Sequence, residues 1–286
     1  MRVAVTGANG KTGRAVAHAL SAAGLTPVGV VRRPESVDEL AESGVTARRA
    51  DLEDPEALSL AFGDVDAVYH VPPNMHPRED QLGERVIAAA ERAGVERFVL
   101  HSVLHPYVPA MPHHLRKART ELALRATGLA WSILQPASYT QNLLPFWTAA
   151  RDTGVYAVPY DVHQPFTPVD LADVGAAAAA VLTDSSCVFG SYELAGPQQL
   201  TSADLGDLLG ELAGRAVVTR RRDLDAWRGA MSAAGADAGE VDDLAAMFTW
   251  YDAHGLVGSP LVLRSLLGRE PTDVATALRR DLELDG

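Results

Sequence analysis

The first half of the chain switches repeatedly between two hydrophobic periods. Arg2 to Thr6 (RVAVT) is a short apolar, β-branched run, and after a glycine-rich turn Val16, Ala19, Leu20 and Ala23 recur at helical spacing over Thr12 to Ala23. The pattern predicts further strands at Pro27 to Val31, Val45 to Arg49, Ala67 to Val71, Arg97 to His101 and Ala130 to Leu134. It predicts helices around Val37 to Ser43, after Asp54-Pro55, over Asp80 to Ala93 and over Leu115 to Thr127. Gly24, Gly94 and Gly128 stand just past helix ends, where a left-handed residue is expected. Repeated strand–helix units of this length predict a parallel sheet covered on both faces, with every strand ending on the same edge.

After Pro136 the alternation loosens. Aromatics and prolines are dense from Tyr139 to Pro168, Asp170 to Leu182 (DLADVGAAAAAVL) is an alanine-rich helix that returns to the main domain, and from Gly190 onward helices dominate with one or two short strands. The fold class is therefore α/β: a Rossmann-type doubly wound parallel sheet with a smaller, mainly helical C-terminal substrate lobe. Residues 1–135 form the nucleotide domain, 168–190 return to it, and 136–167 with 191–286 form the lobe.

Composition narrows the partners. An apolar content of 47% supports a large core, and the net charge of −12 opposes nucleic-acid backbones and anionic membranes. Cys187 is the single cysteine, so an intrachain disulfide is excluded. Without an 18-residue apolar run or a leader pattern, a cytoplasmic, soluble protein is expected, with a homodimer as the assembly to consider. No HExxH pair occurs among the histidines, and no metal site is expected.

The loop after the first strand, TGANGKTG at residues 6 to 13, reads two ways. A triphosphate P-loop needs a glycine where this chain has Val5, and no later strand carries the expected magnesium-binding Asp. A dinucleotide turn fits better: Gly7 ends the strand, Gly10 lets the backbone approach a pyrophosphate, and Gly13 lets the helix pack closely, with Asn9, Lys11 and Thr12 beside them. At the end of the second strand stand Arg32 and Arg33, with no acidic residue before Glu35. Guanidinium groups there suit a 2′-phosphate, so NADP(H) is the expected cofactor; ordinary surface charges are the plain alternative.

Several stretches together resemble the NmrA-like group of atypical short-chain dehydrogenases/reductases: TGANGKTG, VRRPE, ADLEDPEAL, VPPN, RFVLHSV, the run from Lys117 to Asn142 and FTPVDLADVGAAAAAVL. The Lys117 to Asn142 run resembles NADPH-dependent quinone oxidoreductases. The resemblance implies that Asp51 and Leu52 lie beside the adenine, that Val71, Pro72 and Pro73 border its ribose, and that Pro136 to Tyr139 cover the nicotinamide.

The chain departs from the wider superfamily at one position. A tyrosine is usual four residues before the active lysine, and here that residue is His113, ahead of Lys117. Reduction of a quinone is less demanding of an acid than reduction of a ketone, because its product is phenolic, with a pKa of about 10. Lys117, His113 and Tyr139 are the catalytic candidates, set against a solvated lysine, a water-facing histidine and a packed tyrosine. Ser102 faces the nicotinamide or caps the next segment; Asn142, Phe146 and Trp147 border a small planar substrate or belong to ordinary packing. Three functions are consistent with this: NADPH-dependent reduction of a quinone or similar conjugated carbonyl, a non-catalytic NADP(H)-binding redox sensor with a protein partner, or a ketoreductase or enoyl-type reductase of secondary metabolism.

Overall fold

The computed structural model describes residues 1–284. Its first half runs β1 (Arg2–Thr6), α1 (Lys11–Ala22), β2 (Thr26–Val31), α2 (Glu35–Glu42), β3 (Thr46–Arg49), α3 (Pro55–Phe62), β4 (Ala67–His70), α4 (Glu79–Arg92), β5 (Arg97–His101), α5 (Pro112–Arg125) and β6 (Ala130–Pro136). The second half continues with α6 (Leu144–Thr153), β7 (Val155–Val158), β8 (Pro165–Phe166), α7 (Leu171–Thr183), β9 (Gly190–Leu194), β10 (Leu200–Thr201) and α8 (Ser202–Ala213). It ends with β11 (Val218–Arg221), α9 (Leu224–Ala233), α10 (Ala238–His254), α11 (Leu261–Leu267) and α12 (Val274–Asp281). No described helix is long and apolar enough to cross a membrane.

Among the described residues seven strands form one parallel sheet in the order β3-β2-β1-β4-β5-β6-β9. Alternation along each strand divides the core. Val5, Tyr69, Val99 and Leu134 face α1 and α7, whereas Ala4, Val68, Phe98 and Ile133 face α3 and α4. The strand order reverses between β1 and β4, and the loops leaving these two strands flank the crevice where α/β sheets bind ligands.

Helix α7 lies along α1 through its glycine and alanines. A Cβ on Gly175 would stand 2.8 Å from the Ala15 carbonyl oxygen and 3.1 Å from the Ala19 Cβ, so the alanine run is a close-approach surface. The guanidinium of Arg97, at the start of β5, donates to the carbonyls of Val181, Leu182 and Asp184 and closes the C-terminal end of that helix.

Four sequence expectations change. β9 pairs with β6, so residues 191–194 extend the parallel sheet beyond the return expected at 168–190. Three short strands, not one or two, follow residue 189, and β10 and β11 pair with β8 and β7 of the preceding aromatic-rich stretch. Helix α5 begins at Pro112 rather than Leu115, because a proline at the first helical position lacks only a donor that would be unpaired there. Gly24 and Gly94 are left-handed, with φ of +75° and +71°, but Gly128 is not: α5 has already ended at Arg125 and closes without it.

Candidate active site

The loop between β1 and α1 is built for close approach. Gly7 has φ +63°, its carbonyl accepts from the Gly10 N–H at 3.0 Å, and a Cβ on Gly13 would stand 2.3 Å from that carbonyl oxygen. No side chain caps α1, so its first-turn N–H groups are left for an anion. A cavity of about 800 Å³ opens here, bordered by Gly7, Gly10, Lys11, Thr12, Gly13, Leu52, Val71, Pro72, Pro73, Ser102, Lys117, Pro136 and Tyr139. The glycine cradle, the uncapped helix and the neighbouring apolar walls fit a dinucleotide in shape and in charge.

Beginning α5 at Pro112 puts His113 and Lys117 one turn apart on one face. Both line the cavity and both are buried, at 5% and 6% exposure. Behind them sits Glu79 from the first turn of α4, wholly buried, whose Oε1 accepts from Lys117 Nζ at 2.5 Å. His113 Nδ1 lies 3.2 Å from Glu79 Oε2. Burial pushes the Glu79 carboxyl up, but the ammonium of Lys117 and the imidazole of His113 outweigh it and hold it down at about 2. Burial also lowers His113, which is therefore neutral at pH 7.

A second buried relay leads away from Tyr139. Its hydroxyl lies 2.5 Å from His101 Nε2, and His101 Nδ1 lies 2.8 Å from the Tyr69 hydroxyl. Burial pushes Tyr139 up to about 12 and His101 down to about 3, the latter helped by Lys117, so the relay is a chain of neutral hydrogen-bonding groups at pH 7. Ser102 donates to the buried Glu121 at 2.5 Å, which leaves its lone pairs for the cavity.

The residues expected at an adenosine differ from expectation in detail. A smaller cavity of about 320 Å³ is lined by Arg32, Arg49, Ala50, Asp51, Asp54 and Ala57. Asp51 accepts from the Glu53 N–H, and Asp54 caps α3 by accepting from Glu56 and Ala57. Neither Arg32 nor Arg49 makes an ion pair among the described residues; Arg49 Nε donates to the Arg32 carbonyl at 3.3 Å. Arg33 instead lies beside Glu35 at 3.5 Å and borders neither cavity, whereas Arg49 lines the smaller one with Arg32. Asn9 also points elsewhere, donating to Ser36 and to Glu39.

Residues 1–280 match the NmrA-like family. The chain belongs to that family. It is 31% identical over 217 residues to an NAD(P)H azoreductase of Xenophilus azovorans, covering 75% of each chain. It is 27% identical over 278 residues to quinone oxidoreductase 2 of Escherichia coli, covering 96% of this chain and 97% of that one. A crystal structure of the NADPH-dependent quinone oxidoreductase of Escherichia coli in complex with NADPH superposes with a TM-score of 0.85, at 27% identity, over 98% of this chain and 99% of the other.

In this NmrA-like chain the cavity continues past Tyr139 into an aromatic chamber. Phe146 lines it edge-on to Tyr156, with centroids 5.1 Å apart, and Asn142 lines it while accepting from Lys11 Nζ at 2.7 Å. Trp147 does not line it: one position along α6 it turns toward the core formed by Leu143, Ala150, Leu205 and Leu209. Sequence reasoning missed Glu79 and His101. An acidic residue in a first helical turn reads as a partner for the helix dipole. In β5, His101 ends a run buried on both faces, so no alternation singles it out.

Proposed function

We propose that this NmrA-like chain is an NADPH-dependent reductase that delivers hydride to a quinone or a similar planar, conjugated acceptor. The observation that carries the proposal is continuity: one cavity joins the glycine loop, the His113–Lys117 face and an aromatic chamber without a partition. The quinone oxidoreductase and azoreductase relatives support the same chemistry.

NADPH would supply the hydride from its nicotinamide; the residues of the chain bind, orient and exclude water. The N–H groups opening α1 hold the pyrophosphate, and Arg32 with Arg49 holds the 2′-phosphate. Lys117, fixed by Glu79, keeps donors free for the nicotinamide ribose. The lobe, with Asn142 and Phe146, covers the acceptor. Tyr139 is a donor and not an acid at neutral pH, since burial holds it at about 12, and it orients an acceptor oxygen. A strong acid is unnecessary for a product oxygen with a pKa of about 10, which suits His113 in the position where a tyrosine is usual.

The test is NADPH oxidation by purified protein across quinones, azo compounds, enones and simple ketones. Turnover with quinones above that with ketones is expected. Tight NADPH binding with no turnover on any acceptor would replace this reading with that of a sensor.

A further inference from the structure

The cavity is charged with one sign only. Although the chain carries a net charge of −12, no aspartate or glutamate is among the residues lining the 800 Å³ cavity, whose cations are Lys11, Lys117 and Arg222. Two of these have assigned partners. Lys11 sits at the glycine loop, donates to Asn142 and lies 5.4 Å from the centre of the Tyr139 ring; Lys117 is paired with Glu79. Arg222 has no such role.

Arg222 stands at the opposite end, on the turn from β11 into α9. Its N–H donates to the Val158 carbonyl at 2.8 Å, which ties the turn to β7, and its side chain is exposed yet lines the cavity, so it occupies the rim. The guanidinium has only a long bond, 3.4 Å, to the Ala226 carbonyl, and no ion pair among the described residues. Two nearby carboxylates are engaged elsewhere: Asp223 caps α9 through the Ala226 N–H, and Asp252 pairs with Arg221 at 3.0 Å; Asp225, in the first turn of α9, makes no ion pair with Arg222. Beside this free cation lies an aromatic wall, with Trp227 edge-on to Phe248 at 4.9 Å and Tyr160 between Phe248 and Tyr251 at 5.7 and 5.9 Å.

We infer that the substrate is a planar aromatic or conjugated molecule bearing an anionic group, and that Arg222 binds that anion while the aromatic wall binds the ring. The inference rests on the reductase reading for the identity of the chamber, and adds the charge of what enters it. An apolar wall alone accepts neutral rings. A guanidinium without a protein carboxylate, at the edge of an acid-free chamber, favours carboxylate, sulfonate or phosphate through charge-assisted, bidentate hydrogen bonds.

The test compares anthraquinone-2-sulfonate with its neutral sulfonamide, titrated into NADP⁺-loaded protein and followed by tryptophan fluorescence and calorimetry. The wild type is expected to bind the sulfonate about tenfold more tightly, with an advantage that shrinks as salt rises. Arg222→Gln is expected to abolish the preference and Arg222→Lys to keep part of it. The ratio of the two affinities is the readout, so a general loss of fit cancels, and a thermal melt checks that each variant folds. Equal binding of the two probes by the wild type, a preference that survives Arg222→Gln, or failure of both probes to bind would overturn the inference. An equal loss for both probes in Arg222→Gln, with the preference intact, would mean that Arg222 only stacks on the ring. Sulfonate preference without NADPH oxidation by any acceptor leaves the anion site standing and removes the reductase reading. Quinone turnover without sulfonate preference does the reverse.

Discussion

Glu79 is the residue on which the His113–Lys117 face depends, since it holds Lys117 and adjoins His113 from a position without solvent exposure. Removing one member of a buried ion pair strands the other charge. Glu79→Gln is therefore expected to lower unfolding free energy by about 3 kcal/mol at pH 7 in denaturant titrations, and to weaken NADPH binding with it. The paired replacement Glu79→Leu with Lys117→Met should cost less stability than Glu79→Gln alone, although it removes the proposed ribose donor; a cost equal to the sum of the single changes would deny the coupling. At the proposed 2′-phosphate site, Arg32→Ala and Arg49→Ala are each expected to reduce the preference for NADPH over NADH by about tenfold, measured as the ratio of dissociation constants. Arg33→Ala should leave that ratio near its starting value, because Arg33 lies with Glu35 outside both cavities.

Among the described elements, α1 and α7 form the most extensive contact, and it bears on the site because α1 carries the glycine loop at its N-terminus. Gly175→Val would drive a branched side chain into the Ala15 backbone. A loss of about 1–3 kcal/mol is expected, read from chemical unfolding, together with weaker NADPH binding as α1 is displaced. Helix α5 illustrates how an end position changes chemistry. Starting at Pro112, it places His113 inside the first turn and next to Glu79; starting at Leu115, it would have left His113 in a loop with no fixed relation to Lys117.

Across the whole molecule, buried neutral histidines set the response to acid. Burial depresses His70 and His101 to about 3 and His114 to about 4, from an ordinary 6.5. Below pH 6.5 the unfolded chain takes up protons that the folded one refuses, so stability falls as pH drops from 6.5 toward 4 and continues to fall toward 3. Glu79 adds to the loss between 4.5 and about 2, where its carboxylate in the unfolded chain protonates first. Melting temperature should therefore be highest above pH 6.5 and decline steadily in acid. His114→Gln should flatten the decline between 6.5 and 4 by up to about 1.4 kcal/mol per pH unit, and an unchanged slope would rule out His114 as a contributor.

Local sequence alone determined the order of strands and helices in the first half, the parallel sheet and the glycine loop, because apolar periods, turn glycines and cap residues act between neighbours in the chain. It also singled out Lys117, Tyr139 and Arg32, which lie just past strand ends or on the helix beside them. Only the tertiary structure shows Glu79 behind Lys117; His101, Arg49 and Arg222 lining the cavities; and Trp147 and Arg33 outside both. Each of those outcomes depends on a contact or a direction set by how distant segments pack: Glu79 meets a lysine 38 positions later, and Arg222 reaches the cavity by way of β7. A carboxylate or guanidinium reads in sequence as a solvated charge; burial opposite Lys117 distinguishes Glu79, whereas Arg49 and Arg222 stay exposed and are set at cavity edges by how their strands pack.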